Sequence, residues 1–101
     1  QSIITVTNDY TVQDGDYTIL ADTTHNKVRL TLPNPASHPG RMINIKLIHS
    51  SKYSLKTDAL TIDCIAGQLD LFDDIVLKMA RASRTLQSDG TNWWVINGRG
   101  S

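Results

Sequence analysis

The side chains that could perform acid–base or metal chemistry are few and widely spaced in this chain of 101 residues. Its three histidines, His25, His38 and His49, fall in a turn, in a proline-rich loop and at a strand end. None has the spacing of a metal-binding pair. Carboxylates pair at Asp14–Asp16 and Asp73–Asp74, but a Ca²⁺ site takes about six to eight oxygen ligands, which neither segment can space. These patterns are typical of solvated turns, and they predict no metal and no cofactor.

Residues that could act as nucleophiles or hold phosphate lack their usual context. The serines have no Gly-x-Ser-x-Gly elbow around them, and the one Gly-x-Gly, Gly98–Gly100, lies at the end of the chain. Cys64 is the single cysteine, so no internal disulfide forms, and its strand-like surroundings predict a buried, unreactive thiol. We therefore predict that the chain is not an enzyme.

The charge balance excludes several classes of partner. Ten basic and ten acidic residues give a net charge of zero, whereas nucleic-acid partners usually require a basic excess. The longest apolar run is too short to cross a membrane. The length predicts one domain over residues 1–101 with one core. The chain starts at Gln1 with no signal sequence, and we interpret it as a fragment of a longer protein.

Short alternating segments follow one another along most of the chain. Val28–Leu32 places Val28, Leu30 and Leu32 on one face, and Met42–Ile48 repeats the pattern. Asp14–Gly15, between Tyr10–Val12 and Tyr17–Leu20, has the composition of a hairpin turn. Many short strands joined by polar turns predict an all-β fold. We expect a small antiparallel β-sandwich, jelly-roll-like or barrel-like.

Three segments depart from simple alternation. Pro33–Gly40 contains all three prolines and is predicted to be an ordered crossover loop, with one helical turn at Pro35–His38. Leu69–Phe72 is interpreted as a strand. Phe72–Ala82 has helical spacing in part, but the β-branched Ile75–Leu77 favours a strand.

The last segment, Thr85–Ile96, carries the most information. Asp89–Asn92 predicts a tight turn between two strands, because Asp-Gly supplies positive φ at little cost. Alternation places Trp93 on one face of the last strand and Trp94 on the other. One tryptophan can fill the core. The other needs a second surface, which could be another sheet, another subunit or a ligand.

Five motifs occur in a familiar order: Asp9–Val12, Asp16–Asp22, Val28–Pro33, Gly40–Lys46 and Leu86–Ile96. This series resembles a small β module of bacteriophage tail fibres and other virion appendages, which also occurs in bacterial trimeric fibre-like adhesins. The resemblance covers roughly residues 9 to 97, and Ser88–Ile96 is its most specific part. It departs at Leu69–Leu71, where such modules often carry Ile-Asp-Gly. The family does not fix a binding site, so no functional residue is carried over.

The resemblance implies an extracellular homotrimer, with this domain at the C-terminal tip of a fibre. It implies an adhesion or receptor-binding domain for a bacterial surface polysaccharide or protein. The charge balance and the short apolar runs, in turn, predict no nucleic-acid binding and no membrane insertion. The alternatives are a structural spacer or trimerisation module with no ligand, and a fragment of a polysaccharide depolymerase. Function tends to lie on loops, which with the exposed aromatics gives five candidate contact residues: Trp94, Tyr53, His25, Asn26 and His38. The resemblance favours an architectural role for Trp94 before a role in ligand binding.

Overall fold

The computed structural model describes residues 1–50 and 59–101. Within these ranges the chain forms nine strands and one short 3₁₀ helix, Pro35–Ser37. The strands are β1 (Ile3–Val6), β2 (Tyr10–Thr11), β3 (Thr18–Thr23), β4 (Val28–Leu32), β5 (Met42–Ser50), β6 (Leu60–Cys64), β7 (Ile75–Leu77), β8 (Ser83–Ser88) and β9 (Trp93–Arg99). Tyr53, one of the candidate contact residues, lies outside the described residues.

The strands form two mixed sheets, which confirms the prediction of an all-β chain. The large sheet has five strands in the order β1-β3-β5-β8-β9, and the small sheet has four in the order β2-β4-β6-β7. From β1 to β6 the chain enters the two sheets alternately, so that strands two apart in sequence pair in parallel. β7, β8 and β9 are then added in antiparallel pairs.

The predicted antiparallel pairing is wrong for the first six strands. Four of the seven strand pairs are parallel. Asp14–Gly15 is a turn, but it does not close a hairpin, because β2 and β3 lie in different sheets. A short polar turn can lead to the other sheet as readily as to the neighbouring strand. Alternation in the sequence identifies the buried face of a strand but not its partner.

The two sheets share one apolar core, built from alternate side chains of their strands. In β5, Ile43, Ile45 and Leu47 are buried while Lys46 is exposed. The predicted buried face of Val28–Leu32 is confirmed by the same pattern in β4. Burial of each large aliphatic side chain contributes roughly 1.5–3 kcal/mol, so this shared core holds the two sheets together.

Trp93 connects β9 to the loop that leaves β4. Its side chain is 1% exposed, and its indole Nε1 donates to the carbonyl oxygen of Pro33 at 2.9 Å. Its backbone N–H donates to Gln68 and its carbonyl accepts from the N–H of Asp70, at 2.8 and 2.9 Å. The predicted division of the two tryptophans is confirmed, since Trp93 is buried in the core and Trp94 lies half-buried on the opposite face.

Three further expectations are confirmed. The turn at Asp89–Asn92 joins β8 and β9 as an antiparallel hairpin. The predicted helical turn in the proline loop is the 3₁₀ helix Pro35–Ser37, where the side chain of Asn34 accepts from the N–H of Ala36. Ile75–Leu77 is a strand.

The strand expected at Leu69–Phe72 is instead a tight turn. Leu69 and Phe72 exchange two backbone hydrogen bonds of 2.8 Å, and Asp70 and Leu71 between them have φ of 51° and 68°. Leucine rarely adopts positive φ, so a turn with Leu71 at positive φ was not expected. The apolar side chains of the segment favoured a strand instead. The Asp70 carboxylate accepts from the N–H of Val95 at 2.8 Å, which fixes the turn to β9.

Gly67 and Gly40 provide a matched test of the close packing around this segment. Both have positive φ, 73° and 88°, but a Cβ at Gly67 would lie 2.4 Å from the carbonyl oxygen of Thr91, whereas one at Gly40 meets nothing within 4 Å. We expect Gly40→Ala to lower the free energy of unfolding by about 1 kcal/mol through conformation alone. Gly67→Ala should cost at least about 2 kcal/mol more, through the added steric overlap. Urea unfolding measures both, and equal losses would contradict the close contact.

Candidate functional site

A groove of about 580 Å³ opens at the end of the large sheet where β5 begins. Its walls come from the turn between β2 and β3, from the proline loop and from the first residues of β5. The side chains relevant to binding are Asp14, Asp16, Tyr17, His38, Arg41 and Met42. Parallel pairing creates the groove, because it places the starts of β3 and β5 side by side.

Arg41 is fixed in the wall of this groove. Its Nη2 donates to the carbonyl oxygens of Gln13 at 2.6 Å and Asp16 at 2.9 Å. Its Nη1 is buried and has no hydrogen-bond partner in the described part of the chain. The backbone of Arg41 is held as well, because its carbonyl accepts from the N–H of Ser88 at 3.0 Å. A guanidinium held in this way loses little freedom on binding a ligand.

The turn opposite Arg41 is also ordered by side-chain hydrogen bonds. The Asp16 carboxylate accepts from the hydroxyl of Tyr10 at 2.7 Å and from the N–H of Gln13 at 2.8 Å. The hydrogen bond between Tyr10 and Asp16, with a smaller contribution from burial, raises the pKa of Tyr10 above its usual value. Tyr17 follows directly, and its N–H donates to the hydroxyl of Ser2 at 3.0 Å. The groove is therefore preformed on this side.

His38 and Asp14 face each other across the rim. His38 Nε2 lies 3.7 Å from Asp14 Oδ1, and the two side chains are 50% and 89% exposed. Because both side chains are this exposed, they remain accessible for contact with a ligand.

Trp94 lies on the face of the large sheet that points away from the core, called here the outer face. Its Nε1 donates to Asp89 Oδ2 at 2.7 Å, which ties the indole to the β8–β9 turn. Gln87 pairs with Trp94 on one side and with Met42 on the other, so one row of side chains leads from the indole to the groove. Within one chain, Trp94 therefore contacts the β8–β9 turn.

The predicted contact residues do not form one site. His38 lines the groove, and Trp94 lies at the same end of the large sheet. His25 and Asn26 are in the exposed turn after β3, at the opposite end, where the Asn26 amide contacts Thr7 O at 3.5 Å. Tyr53 lies outside the described residues.

Of the groove side chains named above, only His38 was predicted as a ligand contact from the sequence, and Arg41 and Tyr17 are the most important of those missed. Arg41 was one of several arginines spread over strand regions, and Tyr17 was interpreted as a strand residue. The usable signal was the position of Arg41 directly after the proline loop.

Cys64 is half-buried, its Sγ lies 3.4 Å from the carbonyl oxygen of Gly67, and burial raises the pKa of its thiol.

No protein-family model matches the chain, and no curated protein sequence matches it significantly. The likeness to tail-fibre modules therefore stays a prediction from the motifs. Among residues 1–50 and 59–101, no group of three or more histidine, cysteine and acidic side chains could hold a metal ion. The same residues include no helix with the length and hydropathy needed to cross a bilayer.

The hydrogen bonds to the Asp89 carboxylate predict that the stability of the fold depends on pH. This carboxylate accepts from the N–H groups of Asn92 and Thr91 and from the indole of Trp94, and these bonds lower its pKa. A carboxylate with a lowered pKa stabilises the fold above its unfolded pKa, and this contribution is lost as pH falls through the folded value. We expect Asp89→Asn to be less stable than wild type at neutral pH, with the difference shrinking below about pH 4.

Urea unfolding at several pH values measures this difference. Trp94→Phe is the intermediate variant, because it removes the indole donor and keeps both backbone donors. Its deficit should also shrink in acid, from a smaller starting value. A deficit of Asp89→Asn that is the same at neutral and acid pH would show that the charge of Asp89 is not the cause.

Proposed function

We propose that this chain is the adhesion domain at the tip of an extracellular fibre, a small β domain of the sandwich type that acts as a homotrimer. Its target is a glycan or protein on a bacterial surface. The order of motifs supports the fibre context, and the preformed groove beside β5 supports recognition. The single observation that carries the proposal is the Arg41 guanidinium, fixed by two carbonyl oxygens in the wall of an open groove.

The chemistry of the groove suits a sugar. Tyr17 and Met42 offer apolar surface, His38 and Asp14 offer exposed hydrogen-bonding groups, and the guanidinium of Arg41 holds the wall beside them. A sugar ring presents hydroxyl groups and apolar C–H faces together, and tyrosine with nearby polar groups can contact both. The walls are already ordered, so binding costs little conformational entropy. The groove is small, and a weak single site becomes useful when three linked copies bind one surface.

Exposed apolar side chains support assembly with other copies. Ile3 on β1 is 63% exposed, and Ile96 on β9 is 55% exposed. Leu71 and Phe72, on the tight turn beside β9, are 58% and 68% exposed. Large apolar side chains gathered near the edges of a sheet are typical of surfaces that contact another protein.

The same apolar side chains favour a second candidate function, a spacer or trimerisation module with no ligand of its own. β1 is an uncharged edge strand, Ile3–Val6, and such edges are prone to pair with another chain. A spacer requires these contacts but no groove. The two functions therefore separate on whether groove residues affect binding.

The first prediction tests the groove. Tyr17→Ala and His38→Ala should each weaken binding of the trimer to its bacterial cells by about tenfold, because each removes a contact worth roughly 1.4 kcal/mol. His25→Ala is the matched control, since it removes an exposed histidine at the opposite end of the large sheet. Its binding should stay within about twofold of wild type. A panel of bacterial cells and a glycan array identify the target.

Two outcomes would contradict the adhesion proposal. If the wild-type trimer binds neither the cells nor the array, the spacer is favoured. If binding occurs and His25→Ala weakens it as much as the groove variants, the groove is not the contact surface.

A second prediction concerns Trp94. We expect Trp94→Ala to dissociate the trimer at micromolar concentration before it impairs recognition, because the half-buried indole offers apolar surface on the outer face. Trp94→Phe keeps an apolar ring and should retain more trimer. Light scattering gives the oligomeric state, and binding to cells gives recognition. A stable Trp94→Ala trimer that has lost only binding would reverse the ranking, and a wild-type chain that remains monomeric with its upstream stalk would exclude the trimer.

A further inference from the structure

A second polar cavity lies between β8 and β9, away from the groove. It has a volume of about 400 Å³ and is lined by Ser83, Thr85, Asn97, Gly98 and Arg99. The strand register places Ser83 between Lys46 on β5 and Arg99 on β9. The Ser83 hydroxyl is therefore flanked by two cationic side chains, one on each neighbouring strand. Neighbouring strands lie about 5 Å apart in the direction of pairing.

Hydrogen bonds order the polar row that forms one side of this cavity. Thr85 Oγ1 donates to Asn44 Oδ1 at 2.8 Å, and Asn44 Nδ2 lies 3.4 Å from Thr18 Oγ1. At the other end of the row, Asn97 Oδ1 accepts from the N–H of Gly98 at 2.9 Å. This bond fixes the orientation of the Asn97 amide group. Its Nδ2 therefore remains as a donor for a ligand.

Arg84 pairs with Ile45 and Gly98, so its side chain lies on the opposite face of β8 from Ser83 and Thr85 and does not line the cavity. Its Nη1 donates to the carbonyl oxygens of Ser83 at 2.7 Å and Gly100 at 2.9 Å. Gly98 makes room for it, since a Cβ there would lie 2.9 Å from Arg84 Cδ. These acceptors are neutral, so the charge of the guanidinium is not cancelled by a carboxylate.

Arg99 lines the cavity and Lys46 flanks it, so positive charge is concentrated here in a chain whose net charge is zero. Within residues 1–50 and 59–101, Lys46, Arg84 and Arg99 form no ion pair. The lining of the cavity includes no carboxylate from the described residues. By contrast, Arg29 is paired with Asp63 on the small sheet. Cations gathered without partners create a local potential that attracts an anion.

We propose that this cavity binds the carboxylate of an acidic sugar unit, of the uronic-acid type, in a surface polysaccharide. Arg99 can offer the planar fork that matches a carboxylate, and Lys46 can offer a second charge. Ser83, Thr85 and Asn97 provide donors and acceptors for the sugar hydroxyls. The inference rests on the proposed adhesion function and names the class of glycan that the domain recognises.

The position of the cavity fits a polysaccharide chain. Met42, which lines the groove, and Lys46, which flanks the cavity, are four residues apart on β5 and share the outer face. At about 3.3 Å per residue they are separated by about 13 Å. One extended glycan of several units can therefore contact both places on the same sheet. Among the described residues, the cavity lining includes no aromatic side chain on which a base could stack, which favours a glycan over a single-stranded nucleic acid.

Calorimetric titration with oligogalacturonate tests the proposal, with its methyl ester as the matched neutral sugar. We expect the wild type to bind oligogalacturonate at least about tenfold more tightly than the ester, because the ester lacks the charge for the Arg99 fork. Arg99→Gln and Lys46→Gln should each weaken binding by about tenfold. Lys27→Gln removes an equal charge from the turn before β4 and should change binding by less than about twofold.

Several results would overturn the proposal. These are no measurable binding of oligogalacturonate, equal binding of the methyl ester, an equal loss in Lys27→Gln, or tighter binding of an oligothymidylate. The adhesion function fails separately. If the trimer binds cells through Tyr17 and His38 but does not bind oligogalacturonate, adhesion stands and the acidic-sugar site is wrong. If oligogalacturonate binds at the cavity but no cell is bound, the cavity stands and adhesion is wrong.

Discussion

The buried indole of Trp93 is the contact on which the remaining structure depends. It fills the core from β9 and donates to Pro33, so it holds the last strand of the large sheet against the loop that leaves the small sheet. That loop continues through Pro35, whose carbonyl accepts from the buried Ser88 hydroxyl at 2.6 Å. It then reaches His38 and the start of β5. The wall of the groove is therefore positioned by a tryptophan that does not line it.

The sequence predicted the local features of this arrangement and missed the partners of the strands. The faces of Trp93 and Trp94 follow from alternation alone, and the Asp89–Asn92 hairpin follows from its turn residues. Asp14–Gly15 has similar turn chemistry, yet its chain passes to the other sheet. The difference is set by long-range burial, because each of the first six strands must cover the core from the sheet opposite its predecessor. Local propensity does not contain that information.

The candidate sites were harder to predict than the fold for the same reason. The sequence singled out His38 from its loop, but Asp14 and Arg41 come near it only because parallel strands bring their starting points together. The cation cavity depends still more on register, which aligns Lys46, Ser83 and Arg99 from three strands. A register shift by one residue would send alternate side chains to the core. Sequence spacing therefore pointed to single residues of the groove but could not show which side chains the two places bring together.

The outer face of the large sheet must satisfy two competing demands. A subunit interface excludes ligand from the surface that it covers, so recognition and assembly cannot use the same side chains. The apolar side chains lie towards the edges, at Ile3 on β1 and Ile96 on β9, whereas the rows between them carry Asn44, Thr85 and Lys46. Ile96 is placed outward at a register shift in the β8–β9 pair, which separates the row of Trp94 from the cavity beside Arg99. This division separates the polar rows proposed to bind a glycan from the apolar edges proposed to contact neighbouring copies, so both proposals are compatible on one sheet.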